Sequence, residues 1–436
     1  MSYPSSSDEI AKQAPESVSK SVESVGNTSL VDPSDALSFP EGGFTAWGTV
    51  LGALLIQFCG FGYVSAYGVF QGKHIYFYTQ TYLTNSTPSA IAWIGSVNAF
   101  LILSVGIVSG RMVDRGAFYP VMKIGCLLQC FFLFMLSLAK PEQYYQASLI
   151  FLSQGIGLGF AMGLTNVPSI AVISHHFQRR KAFAMGIVAA GGSLGAIFHP
   201  VMLNNLINGR LGFANGVRAS AALSGGLLFI ANLLMRTRLP PQQKIVSYTR
   251  VLKNSSRDGA YICTCVGMAA FEFGYFFESF YLQLDSTLHG LSQGFSFYSN
   301  CLSPRQLTIL SSGSFIGRLT GGVVAAYVGI PNTIIVSSLI SSAVLFAMVG
   351  LHSATSVAVI AVSYGVFSGG VVAMMGPLIS HLTPEFSHTG ARMGIAFATS
   401  SAPICGAVLT SHYIWWKAAI LAGASEPYQA ALSVFG

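Results

Sequence analysis

Residues 166–200 read NVPSIAVISHHFQRRKAFAMGIVAAGGSLGAIFHP. One apolar run leads into this stretch and a second, rich in small residues, leaves it. Between them sits the basic knot Gln178-Arg179-Arg180-Lys181. Two apolar spans joined by a short positive loop describe two membrane helices meeting on the cytoplasmic side. The second span carries Gly186, Ala189, Ala190, Gly191, Gly192 and Gly195. Small residues at that density let helix backbones touch inside a lipid-embedded bundle.

The whole chain has the same character. Of 436 residues, 52% are hydrophobic and 8% charged, and the mean hydropathy is +0.59. Soluble proteins average about 25% charged residues, so this surface is built mainly for lipid. The formal charge of +7 resides in loops between apolar spans and orients the chain. No nucleic-acid partner is expected. The seven cysteines have no histidine or cysteine neighbours at metal spacing and read as small apolar residues. No metal and no cofactor are expected.

Residues 1–40 are rich in Ser, Pro, Glu and Asp, without apolar period, and are expected to be a disordered cytosolic tail. Apolar runs of membrane-spanning length follow at 46–70, 90–110, 120–139, 147–173, 184–206, 217–235, 259–284, 306–328, 332–351, 356–380 and 391–413. A twelfth span would begin near Tyr428, but only nine residues remain to Gly436, so its truncation is the expectation. With a cytosolic N-terminus, twelve basic residues fall in inward loops and six in outward loops. The sequon at Asn85 would then face outward, a weak glycosylation signal because Pro88 follows it. A plasma-membrane protein with its N-terminus inside is expected. The longest polar interruption, 236–258, divides 41–235 from 259–436 and makes two six-helix halves joined by a basic linker, an all-α architecture.

At three places the chain resembles the major facilitator superfamily and, within it, the fungal branch of the monocarboxylate porter family. Glu41-Gly42-Gly43-Phe44-Thr45-Ala46-Trp47 looks like that family's acidic-Gly-Gly-aromatic opening motif. Phe177 to Gly195 looks like its signature over loop 4–5 and span 5. Gly110-Arg111-Met112-Val113-Asp114-Arg115-Gly116 looks like the superfamily loop whose aspartate and arginines latch neighbouring helices. The resemblance implies the major facilitator fold, with Arg111, Asp114, Arg115, Arg179, Arg180 and Lys181 at a cytoplasmic gate. In the equivalent second-half loop, Ala326 and Tyr327 replace the aspartate and arginine. Arg318 matches the family's substrate-side arginine. Ser314 stands where lactate carriers have an aspartate, and none of the residues 57–66 supplies their lysine. These departures favour export over uptake.

The residues themselves give matching candidates. Arg318 lies mid-helix, where a cation costs roughly 2.5–3.5 kcal/mol unless a cavity or partner receives it. It is read as an anchor for an anionic group, the alternative being a structural ion pair. Glu272 and Glu278 in span 7 are the proton-carrying candidates, about 240° apart around the helix, with Glu272 preferred and a salt bridge to Arg318 as its alternative. His199, beside Pro200, is a further proton candidate. Tyr275, Asn98 and Asn166 are possible cargo-lining groups, set against ordinary packing and interhelical hydrogen bonds. The glycines from Gly155 to Gly163 lie inside span 4 and read as helix packing rather than a nucleotide fingerprint. No motif for making or breaking bonds occurs, so an enzyme is not expected. The resulting expectation is a monomeric, lipid-embedded secondary transporter of an organic anion or small secondary metabolite. A non-transporting sensor of the same fold is the alternative.

Overall fold

The computed structural model describes residues 41–66, 88–139, 146–238, 248–288, 302–347, 354–383 and 388–400. The N-terminal tail, Asn85, the Glu278 side chain and the place of a twelfth span lie outside the described residues.

Among the described residues, nine helices are long and apolar enough to cross a membrane: α1 Phe44–Ser65, α2 Trp93–Asp114, α3 Phe118–Leu136, α4 Ser148–His175, α5 Lys181–Ile207, α6 Gly212–Leu234, α8 Thr308–Val328, α9 Ile330–Ala347 and α10 Ala358–His381. Helix α7, Gly259–Leu288, and helix α11, Thr389–Thr399, fall at the two remaining expected spans. At 1.5 Å per residue, 18 to 28 residues cover the hydrocarbon core of a bilayer. A short helix, Tyr248–Ser255, precedes α7. No strand occurs among the described residues.

Burial sorts these helices. Helix α4 is 83% buried over its central window, against 33% for α6 and for α9. The large outward residues Leu127 and Phe131 of α3, Phe229 and Leu233 of α6, and Val336 and Leu339 of α9 therefore meet lipid. Polar groups inside the bundle find partners, as a solvent without hydrogen bonds requires. Asn98 gives its amide to the Gln154 carbonyl at 2.8 Å, and Gln129 gives its amide to the Cys59 carbonyl at 2.7 Å. The five described cysteines are free thiols on helices.

Small residues set the spacing between helices. Gly159 and Gly163 of α4 abut α2; a methyl on Gly163 would stand 2.7 Å from the Leu101 carbonyl. The start of this glycine run adopts a π-helical stretch, Phe151–Gly157, which no sequence period marks. Between the halves, Gly106 and Gly110 of α2 face Gly394 and Gly390 of α11, backbone on backbone. Gly186 of α5 meets α8 at the Arg318 carbonyl, where a methyl would come to 2.8 Å. These are paired small-xxx-small faces running antiparallel.

Candidate functional site

Arg318 sits on the inter-half seam between α5 and α8. It is 4% exposed, and its Nη1 donates to the Ala189 carbonyl of α5 at 2.6 Å. Gly192, one turn on, leaves room for that nitrogen: a methyl there would lie 3.0 Å from Nη1. The carbonyl occupies one side of the guanidinium, and Nε is buried with no hydrogen-bond partner. One turn before Arg318, Ser314 receives a hydrogen bond from the Ser193 hydroxyl at 3.1 Å. The absent aspartate of this position is thus replaced by a neutral contact between the halves.

Glu272 of α7 is also buried, and its Oε2 has no partner. The charge of Arg318 reaches it, but no hydrogen bond links Oε2 to Nε. A cation and a carboxylate thus lie in one low-dielectric region without a direct bond between these two atoms. Removing either would leave the other uncompensated. Tyr275, almost one turn beyond Glu272, stacks on Phe271 with ring centroids 6.1 Å apart.

The other candidates lie in the first half. Gln57 of α1 donates to Asn166 Oδ1 and to Ser169 Oγ, both at 2.9 Å. Gln57 and Asn166 line a narrow gap with Ile102, Met162 and Thr165 that is too tight for a water molecule. Asn98 is held by the Gln154 carbonyl, away from Arg318's contacts. His199 is fully buried between the rings of Phe58, 4.8 Å away, and Tyr63, 5.2 Å away. The structure therefore brings together Arg318, Glu272 and the α5 seam, and keeps Asn98, Asn166 and His199 in first-half packing.

The basic motif residues gather at one end of the bundle. Asp114, the last residue of α2, accepts the backbone N–H of Gly390 at 2.9 Å and of Ala391 at 2.7 Å. Free N–H groups at a helix start carry partial positive charge, so a carboxylate is well matched to them. Lys181 Nζ donates to Ser380 Oγ of α10 at 2.9 Å. Glu41 accepts N–H bonds from Gln178, Arg179 and Arg180, at 2.8, 2.6 and 3.1 Å. Burial works against the Glu41 charge, but these three donors and the Arg179 charge outweigh it and hold its carboxyl below the ordinary value.

Sequence reasoning missed one cluster at this end. Arg392 of α11 pairs with Asp258 and donates to the Leu382 carbonyl at 3.0 Å. Its guanidinium lies 4.2 Å from the Tyr261 ring centre, and the Tyr261 hydroxyl donates to the Arg392 carbonyl at 2.6 Å. The ends of the linker, α10 and α11 are thereby tied together. Asp258 before an apolar run was the available signal, since such a residue reads as a helix start.

A two-halved helical bundle with a buried charged seam and a latched end defines a multi-pass membrane carrier of small molecules. A profile of the Major Facilitator Superfamily matches residues 49–303, and the chain belongs to that superfamily. It is 34% identical over 400 residues to the aspyridones efflux protein apdF of Emericella nidulans, covering 89% of this chain and 78% of that protein. It is 35% identical to the MFS-type transporter hasB of Aspergillus fumigatus, covering 85% and 83%. It is 29% identical to the agnestins efflux protein AgnL12 of Paecilomyces divaricatus, covering 83% and 80%. The fold matches the crystal structure of the transporter FucP in the outward conformation, with a TM-score of 0.67 at 14% identity over 89% of this chain and 98% of that one.

Proposed function

We propose that this protein exports a small organic anion or anionic secondary metabolite by alternating access, with the Arg318 guanidinium as cargo anchor. The observation that carries the reading is the buried Nε of Arg318, left without a partner beside a carboxylate that does not bond it. With Nη1 held by Ala189, the Nε side remains for an incoming carboxylate or enolate. Glu272 would serve as the counter-charge of Arg318 until cargo takes that place, and the inside-negative membrane potential would then drive the anion outward. One charge moved across 100 mV is worth about 2.3 kcal/mol, enough for roughly fifty-fold accumulation. Relatives named as efflux proteins for aspyridones and agnestins support the direction and the secondary-metabolite class. The likeness to the monocarboxylate porter family rests on the Glu41 and Phe177–Gly195 motifs and fits an anionic cargo. In this reading the basic end faces the cytosol, the chain is a plasma-membrane monomer, and Asp114, Arg111, Arg115, Arg179, Arg180 and Lys181 form its inner gate.

The test is uptake of a panel of carboxylated and phenolic metabolites into inside-out vesicles with a lumen-positive potential, where uptake corresponds to export. Cargo that accumulates with the native chain should fail to do so with Arg318→Ala. Arg318→Lys should retain a small fraction, since a point charge cannot grip a carboxylate with two bonds. Undiminished accumulation in Arg318→Ala would refute the anchor.

A further inference from the structure

The ends of α2 and α8 are equivalent places in the two halves. Gly110 and Gly322 each press against the helix start of the opposite half: Gly110 against Gly390, and Gly322 against Ala182 and Phe183. A methyl on Gly322 would stand 2.9 Å from Phe183 Cα and 3.1 Å from the Ala182 carbonyl. Four residues after Gly110 comes Asp114, which holds two N–H groups at the start of α11. Four residues after Gly322 comes Ala326, which has nothing to offer the start of α5.

The start of α5 nevertheless has its carboxylate. Glu41 accepts three consecutive N–H groups in the turn Gln178–Arg180 that leads into Lys181. To do so it takes a backbone φ of +49°, a left-handed conformation that non-glycine residues seldom adopt. Trp47 docks edge-on against Phe177 at 5.2 Å beside the same turn. The arrangement is specific: an unfavourable backbone conformation is retained where the side chain satisfies three donors at once.

We propose that Glu41 stands in for the acid missing at Ala326, and that this moves the second clasp from between the halves to within the first half. Asp114 must release Gly390 and Ala391 when α2 and α11 separate. Glu41 and the turn it holds both belong to the first half, so this clasp stays shut in both transport states. Among the described residues, the starts of α11 and α5 are therefore held by one switchable carboxylate, Asp114, and one permanent one, Glu41. Across the seam from the start of α5, Lys181 donates to the Ser380 hydroxyl of α10. This inference is independent of the cargo and of the role proposed for Arg318.

The test uses the purified full chain carrying Ser380→Cys as a reporter at the closed end, with labelling of that peptide read by mass spectrometry and melting read in parallel. Glu41→Gln and Glu41→Ala should melt several degrees lower while leaving the labelling rate within about twofold of the parent. Asp114→Asn should raise labelling about tenfold. Ala326→Asp should slow labelling and should restore part of the melting temperature lost in Glu41→Ala, because it returns an acid to the start of α5. Three results would each overturn the proposal. The Glu41 variants melt like the parent; Glu41→Gln raises labelling as much as Asp114→Asn; or Ala326→Asp gives no recovery in the Glu41→Ala chain.

Discussion

The ends of α2 and α8 share a glycine contact and differ by one carboxylate. At α2, Asp114 bonds across the seam to Gly390 and Ala391. At the end of α8, Ala326 and the outward Tyr327, 87% exposed, offer no carboxylate to the start of α5, where Gly322 packs against Ala182 and Phe183. The comparison separates two jobs that are easily conflated. Glycine packing decides whether the halves can meet at all, and the carboxylate biases how long they stay together. Packing is present on both sides, whereas among the described residues a carboxylate capping a helix start across the seam is present on one.

The largest effect should come from the packing. Gly110→Leu would drive a side chain into the Gly390 backbone, where there is no room for even a methyl. Overpacking of this kind costs about 3 kcal/mol, so the basic end should stand open. Ser380→Cys labelling should approach the rate of the unfolded chain while helix content is kept. Unchanged labelling would mean that α2 and α11 are not held as described. Removing the Asp114 charge should come second. A hydrogen bond to a charged group is worth about 1.5–3 kcal/mol. Asp114→Asn should therefore increase the open population by about tenfold, read as the same labelling rate.

The third effect is smaller and depends on pH. The carboxyl of Glu41 is held below its ordinary value of 4.5. A depressed carboxylate contributes stability that is fully present above the unfolded value and lost as pH falls through the folded one. Melting of the native chain should therefore drop on acidification below about pH 4.5, and Glu41→Gln should lack that part of the drop. Equal acid sensitivity in the two would exclude Glu41 as its source. The smallest effect is expected at α8. Tyr327→Ala removes an outward ring with no seam contact, and melting and labelling should stay within about 0.5 kcal/mol of the parent.

Much of this was legible in the sequence. Apolar runs separated by charged loops set the number and order of the helices, because a bilayer fixes their length. Density of small residues marked α5, and Gly155 to Gly163 marked α4, as packing helices. Arg318 and Glu272 stood out as ionisable groups in apolar surroundings, and both proved buried. Asn98 and Asn166 stood out equally, and their hydrogen bonds are internal to the first half; nothing local in the sequence marks which partner a buried amide takes. The long-range bonds were illegible for a similar reason. Glu41 meets a turn 137 residues away, and Asp114 meets a helix start 276 residues away. Backbone N–H groups carry no sequence signature, so only the fold could pair them with a carboxylate. The four-residue spacing of Gly106–Gly110 and of Gly390–Gly394 was visible in each helix, but the pairing of the two helices was not.

The most direct test of one switchable clasp is a distance across the basic end. Spin labels at Arg115→Cys, just after α2, and Tyr327→Cys on α8, with the seven native cysteines replaced, sit on opposite halves. Pulsed dipolar spectroscopy should give a short and a long distance, with the long one enriched by Asp114→Asn and unchanged in proportion by Glu41→Gln. A single distance that ignores Asp114→Asn would contradict the account.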